Sequence, residues 1–274
     1  MSILESLIYG FVSGFAEFLP ISPQGQQSIL MQLFGMEQRN PLMDLLIRFA
    51  VAASLIVGCR SMLLRLYREN LVISRGRSRR TYDYNGIYDL RLIKTASVPM
   101  VLGLLLYYKF DQNEFRPLIM MFSLLISGLL VIIPEYVRQA NKTARSMTGY
   151  DGVLLGLCAA LSAFPGISRF GTFMGVSLLR GADRKHALNW AFLMTIPAIA
   201  FYIIYDIIGL FTIGVGPMTF IMVLGMFLAA CAAFCGGYLA IIFIRFLTEH
   251  SGYSGFAYYS WGAALFCLAL FLIA

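Results

Sequence analysis

Two stretches of this chain, GFVSGFAEFLPISPQG from Gly10 to Gly25 and GLCAALSAFPGISRFG from Gly156 to Gly171, align without a gap and share a break that restricts the folds open to it. Gly10 meets Gly156, Phe18 meets Phe164, Ile21 meets Ile167, Ser22 meets Ser168 and Gly25 meets Gly171. Each copy reads as an apolar helix broken by proline or glycine just before a serine. Interrupted hydrophobic segments at matching places in two halves point to a binding site near the midplane of an inverted-repeat membrane protein. A chance likeness of two apolar helices leaves the coincidence of break and serine unexplained.

Composition agrees. Hydrophobic residues make up 59% of the 274 residues, charged residues 13% and mean hydropathy is +0.76, which describes an integral membrane protein with no soluble enzyme domain left over. The first segment lacks the basic start and small-residue cleavage site of a signal peptide, so it is expected to be retained. Cys59, Cys158, Cys231, Cys235 and Cys267 lie in apolar stretches without zinc or disulfide spacing. His186 and His250 sit at charged helix ends, far in sequence from either motif, and read as solvated or interfacial.

Apolar runs long enough to span occur near Leu42 to Cys59, Ile93 to Tyr108, Leu118 to Ile133, Ala187 to Ile208, Met218 to Phe246 and Phe256 to Ala274. The two motifs are extra. With their continuations, to about Phe34 and Leu179, each looks like a re-entrant helix-break-helix hairpin, tolerated at depth only where protein or a watery cavity covers the backbone. The expected fold is an all-α integral membrane bundle forming one transmembrane domain of two inverted-topology repeats, about 1–135 and about 150–274.

Lysine and arginine set the orientation. Arg60 to Lys94 includes Arg65, Arg68, Arg75, Arg77, Arg79, Arg80 and Arg91, and Arg138, Lys142 and Arg145 follow the next helices, so these segments, with 60–94 as an arginine-rich loop, are expected on the cytoplasmic side. Connections near Asp111, Glu114 and Asp206 suit the outer face, and both termini then lie outside. The net charge of +7 reads as a topology signal and an anionic-lipid contact, with no nucleic-acid motif beside it; GRSRR at 76–80 carries no assigned chemistry.

Glu17 lies in an apolar helix one turn before Pro20, and an intramembrane carboxylate is costly unless it faces a cavity, a partner or a site. Arg169, at the second break, presents a charged fork of donors that suits phosphate or pyrophosphate; the plainer alternative is a salt bridge to Glu17, and the two roles are compatible. Ser22-Pro23 reads as an N-cap with proline at the first helical turn, and Ser168 holds the equivalent cap. Two helix N-termini facing one centre form a seat for an anion, and Gly166 allows its close approach. Asp44 and Arg48 are expected to form an i,i+4 ion pair, with lining of the cavity as a second role open to it. Asn189, Trp190 and Pro197 mark a helix that borders the centre.

FAEFLPIS with its trailing glycine, together with PGISR, resembles the undecaprenyl-diphosphate phosphatase family associated with bacitracin resistance. The likeness covers nearly the whole chain, including the arginine-rich segment and Ile196-Pro197. It implies two re-entrant hairpins meeting mid-membrane in the plasma membrane, a pocket open to the outer face, and a polyprenyl diphosphate whose terminal phosphate is removed to recycle the carrier lipid of peptidoglycan synthesis. Glu17, Ser22, Ser168 and Arg169 become catalytic candidates; Gly25, Gly166, Gly171, Ser13 and Gln26 join Arg169 as candidates for binding substrate. The resemblance also implies Mg²⁺ or Ca²⁺, with Glu17 as ligand, and is compatible with a homo-oligomer.

The chain departs from the family pattern at several positions. Ser13 stands where the first glutamate belongs, Pro23 replaces the serine usually proposed as nucleophile, Gln24 the threonine, Gln26 the histidine and Phe170 the serine after arginine. One carboxylate fewer weakens the case for a metal, and the lost groups remove a nucleophile and an acid or base. Ser22, Ser168 or water remains to attack. The alternative function is a non-hydrolytic transporter or flippase, or a binder, of polyprenyl phosphate; a transporter of an unrelated solute fits the architecture but leaves Arg169 unexplained.

Overall fold

A computed structural model describes residues 1–36, 40–74, 85–105, 116–137, 142–212, 214 and 218–273. Among them the chain is helical and forms no strand. The first hairpin is α1 (Ile3–Glu17) and α2 (Pro23–Leu33), followed by α3 (Pro41–Gly58), α4 (Arg60–Ser74), α5 (Asn85–Leu104) and α6 (Pro117–Ile132). The second hairpin is α7 (Gly149–Ala160) and α8 (Arg169–Leu179), followed by α9 (Arg184–Thr212), α10 (Phe220–His250) and α11 (Ser254–Ile273). Five segments among the described residues are long and apolar enough to cross a membrane: α3, Pro117–Tyr136, α9, α10 and Ser254–Leu272 of α11.

The hairpins are built alike from end to end. Ser2 and Glu5 form a capping box at the start of α1, and Thr148 and Asp151 form one at the aligned place before α7. Ser22 caps α2 through Gly25 N at 3.1 Å, with Pro23 at a position where no N–H is needed, and Ser168 caps α8 through Gly171 N at 3.0 Å. Each hairpin closes on a left-handed glycine, Gly35 at φ +63° and Gly181 at φ +87°. Arg180 Nε donates to Asp151 Oδ1 at 2.6 Å, tying the end of α8 to the start of α7. Burial opposes ionisation of Asp151, but hydrogen bonds from Thr148 and Arg180 outweigh it and hold its carboxyl below the usual range.

Small residues set the helix contacts. Gly10 and Gly14 lie against the backbone of Ala229 and Ala233, so α1 runs along α10 in the same direction. Gly152 and Gly156 lie against Thr95 and Ala96, and Gly103 against Ala160, so α7 runs parallel to α5. By contrast α3 and α9 are antiparallel, with Pro41 beside Gly209 and Arg48 beside Tyr202. α6 packs against α11. Phe18 touches Gly237, near the middle of α10, so the first hairpin turns back halfway along that helix.

Three expectations change. The segment 60–94 is not one loop: α4 occupies its first part, and Arg91 and Lys94 lie in α5, which begins before the expected Ile93. Lysine and arginine lengthen these helices because their stems cover apolar surface while their heads reach water. Asp206 belongs to the body of α9 and is 6% exposed, so it is not a connection residue. Arg75, Arg77, Arg79, Arg80, Asp111, Glu114, Arg138 and the GRSRR stretch lie outside the described residues.

Gly10→Val would place a side chain where the carbonyl of Ala229 sits, so α1 and α10 must separate. The expected cost is about 1–3 kcal/mol, read as a lower midpoint of thermal unfolding in detergent; Gly255→Ala, whose added carbon meets open space, serves as the control.

Candidate functional site

The two breaks hold each other. Gly166 N–H donates to Ser22 Oγ at 3.2 Å, and Ser168 Oγ donates to Leu19 O at 3.4 Å. Ser168 N–H is taken by Ser127 Oγ of α6 at 3.0 Å. Gly25 lies against Gly166, and Gly171 against Pro20. Gly166 has φ +105°, and a side chain there would meet Ser123 Cβ at 2.7 Å, so both backbone conformation and space require glycine. Non-helical backbone within an apolar bundle is thus satisfied by the opposite hairpin.

Beside this crossing is a buried set of charges. Glu17, the last residue of α1, is 1% exposed, and Arg169, the first of α8, is 4% exposed; Arg169 Nη2 binds Glu17 Oε1. Arg48 of α3 lies with Nη1 3.6 Å from the other oxygen of Glu17 and Nε 3.6 Å from Asp206 Oδ2. Both guanidiniums face the ring of Tyr202, Arg48 at 4.6 Å and Arg169 at 5.7 Å from its centre. Two cations and two carboxylates therefore share one enclosure.

A second hydrogen-bond network continues along α1 and reaches Asp44. Ser13 Oγ donates to Tyr9 O at 2.6 Å and accepts from Gln27 Nε2 at 3.0 Å, while Tyr9 OH donates to Asp44 Oδ1 at 3.3 Å. Packing of α3 against α1 and α9 turns Arg48 toward Glu17 and Asp206, carboxylates it reaches across helices beyond the expected neighbour Asp44.

The predicted residues Glu17, Ser22, Gly25, Gly166, Ser168, Arg169 and Gly171 meet at the crossing, and Ser13 stands one helical turn before Glu17. Gln26 faces elsewhere, accepting from Tyr259 OH at 2.7 Å on the α11 side. Trp190 is fully buried and donates to Asp89 at 2.6 Å, away from the breaks. Tyr202 and Thr172 escaped sequence reasoning, whereas Arg48 was expected beside the cavity in a pair with Asp44, and Asp206 near an outer connection. Asp206 was findable as the lone acidic residue of a long apolar helix, with Tyr202 one turn before it.

Two donors on α8 have no hydrogen-bond partner among the described residues: Arg169 Nε and Thr172 Oγ1. They lie one turn apart on the same face of the helix start, and Thr172 is fully buried. An acceptor with several oxygens, arriving at this helix N-terminus, would satisfy both. The donor set suits a cation poorly. Both oxygens of Glu17 face guanidiniums, Ser13 is spent on Tyr9 and Gln27, and no cluster of three His, Cys, Asp or Glu occurs among the described residues.

Residues 6–266 match the family model described as bacitracin resistance protein BacA. The chain is similar to an undecaprenyl-diphosphatase of Rubrobacter xylanophilus, 31% identical over 278 aligned positions with all of both chains covered. It is likewise similar to one from Alkaliphilus metalliredigens, 29% identical over 95% of this chain and 96% of that one, and to one from Treponema denticola, 31% identical over 94% of each.

Replacing Arg48 with methionine keeps much of its volume but leaves Glu17 and Asp206 short of a cation. Breaking a buried ion pair from one side costs about 3–5 kcal/mol. Arg48→Met is therefore expected to lose most of its folded yield, and the double variant Arg48→Met/Asp206→Leu to recover part of it, as measured by monodisperse protein in detergent.

Proposed function

Because the chain belongs to the bacitracin resistance protein BacA family, we propose that this multi-pass membrane protein removes the terminal phosphate of a polyprenyl diphosphate of the undecaprenyl class. The observation that carries the reading is the pair of unpartnered buried donors, Arg169 Nε and Thr172 Oγ1, at the start of α8. Phosphate oxygens satisfy both, and the helix N-terminus adds a favourable field.

In this reading the terminal phosphate takes Glu17's place on Arg169. Released on that side, Glu17 accepts a proton from an attacking water. The water oxygen bonds to the terminal phosphorus, the bond from that phosphorus to the bridging oxygen breaks, and the polyprenyl phosphate leaves with the bridging oxygen. Water is preferred to a serine because neither hydroxyl is hydrogen-bonded to Glu17: Ser168 is committed to Gly171 and Leu19, and Ser22 accepts from Gly25 and Gly166. Ser22 and Ser168 instead keep the helix starts aimed at the phosphate. Phosphoryl transfer rests mostly on positioning and charge, so Arg169, Arg48 and the two helix starts supply its main requirements. No step is assigned to a divalent cation.

The antiparallel packing of α3 on α9, together with the parallel pairs α1–α10 and α7–α5, supports two inverted repeats as the frame of this site. With both termini outside, the crossing opens toward the outer side of the plasma membrane. A second reading is carriage of polyprenyl phosphate between leaflets without hydrolysis. It is favoured by the commitment of both serines to backbone and by the neutral network around Ser13.

Purified protein is expected to release inorganic phosphate from undecaprenyl diphosphate, with Arg169→Ala and Glu17→Gln each at least about a hundredfold slower. Loss in both variants carries the hydrolase reading, and a rate surviving EDTA supports the cation-free step. No release by the parent protein, with the lipid still bound, selects the carrier.

A further inference from the structure

Where α5 and α7 begin, at the opposite end of α7 from its break, the two helices leave a pocket of about 60 Å³ between them. Arg91 and Thr95 of α5 form one wall, and Arg145, Met147 and Gly149, where the chain enters α7, form the other. Its origin is the parallel packing. Gly152 and Gly156 bring α7 against Leu92, Thr95 and Ala96, and the pocket is the space left at the start of the seam, before those contacts close it.

The pocket carries charge that the protein does not balance. Arg91 and Arg145 are exposed, and among the described residues neither side chain has an ion pair or a hydrogen bond. The carboxylates near them in the chain are committed elsewhere. Asp151 accepts from Thr148 and Arg180, while Glu69 and Asp89 both face Arg65. Two guanidinium forks around one small space suit the oxygens of a phosphate group.

Beyond the pocket the surface turns apolar. Arg91, Thr95, Val98 and Leu102 recur every three or four residues and share one face of α5, as Gly149, Val153 and Leu157 share one face of α7. Because the helices run parallel, the two stripes flank the same side of their seam. Val98, Leu102, Val153 and Leu157 are all exposed. Val98 follows Arg91 by seven residues, about 10 Å of helix, so bare hydrocarbon begins within two turns of the cations. A molecule that is anionic at one end and apolar along the rest matches both parts.

We propose that this pocket binds an anionic phospholipid, with Arg91 and Arg145 holding its phosphodiester and an acyl chain lying along Val98 and Leu102 of α5 and Val153 and Leu157 of α7. Basic pockets between membrane helices take acidic headgroups in this way. The ligand is a phosphodiester at the start of α7, distinct in chemistry and place from the diphosphate of the functional reading above, and the site stands whether or not the protein hydrolyses that diphosphate. A lipid seated here bridges α5 to the segment that leads into the second hairpin, so its binding also stabilises the fold.

The test is native mass spectrometry of the full chain in detergent, with palmitoyl-oleoyl phosphatidylglycerol or phosphatidylcholine added. Phosphatidylglycerol is expected to bind at least about tenfold more tightly. Arg91→Gln/Arg145→Gln should abolish that preference, and Arg60→Gln/Arg68→Gln, which removes the same charge from exposed positions of α4, should keep it. Neither pocket arginine has a partner to lose, so Arg91→Gln/Arg145→Gln should unfold at the parent's midpoint in lipid-free detergent; phosphatidylglycerol should then raise the midpoint of the parent protein and not of the variant. Absence of a preference in the parent protein overturns the proposal. Equal loss in the two double variants does so as well, since attraction would then follow net charge and not the pocket. Competition by glycerophosphoglycerol, the same headgroup without chains, at the lipid's own concentration also overturns it and marks a site for soluble anions.

Discussion

Everything near the centre of this bundle depends on two interrupted backbones satisfying each other. A helix that stops inside an apolar bundle exposes N–H and C=O groups that hydrocarbon cannot meet. Here the hydroxyl of Ser22 accepts from Gly166, and the hydroxyl of Ser168 donates to Leu19. The exchange is not identical in its two halves, and the sequence explains why. Pro20, the counterpart of Gly166, has no N–H to give. Ser168 therefore turns its proton to the preceding carbonyl, and Gly171 packs against the proline ring instead. Neither hairpin could be built alone at this depth, which makes the crossing a requirement of folding before it is a site.

The charge set follows from that crossing. Bringing the end of α1 to the start of α8 puts Glu17 and Arg169 in contact, and α3 and α9 add Arg48 and Asp206. Burying four ions is expensive, and apolar residues of similar volume would often be as stable. Stability is thus a weak reason to keep them. Exchange of one anion for another is a better one. Arg169 already holds a carboxylate and has a further donor unmet, so in the proposed function an incoming phosphate would replace Glu17 on a cation whose desolvation was met on folding. Arg48 remains on the other oxygen of Glu17, so the displaced carboxylate is not left without a countercharge.

How much of this was legible in the sequence depends on how local each feature is. The hairpins, their serine caps and the position of Glu17 and Arg169 at the breaks could be read directly, because proline, glycine and serine act within one turn of themselves. The partner of Arg48 could not. Asp44, four residues before it, is the local choice, whereas Asp206 and Glu17 reach it only through the packing of three helices. Asp206 was read only as a neighbour of an outer connection; α9 carries it inside and neutralises it across the helix interface. The arginine-rich segment misled in the opposite direction, since charge density suggested loop where α4 and the start of α5 are helical. Gln26 was placed at the site by alignment with a family position, but α2 turns it toward Tyr259.

Ser13 fits this centre without a charge, and Pro23 without a hydroxyl group. Pro23 begins α2 at a position that needs no N–H, so the helix start keeps its Ser22 cap. Ser13 fills its position with a neutral chain of hydrogen bonds from Gln27 to Ser13 to the carbonyl of Tyr9. A second carboxylate in that place would add an anion beside Glu17, and Arg48 and Arg169 are already balanced by Glu17 and Asp206. A neutral Ser13 beside a Glu17 paired with two arginines is therefore one electrostatic arrangement. It is a centre in which two arginines share the carboxylate of Glu17, with Asp206 as the second countercharge.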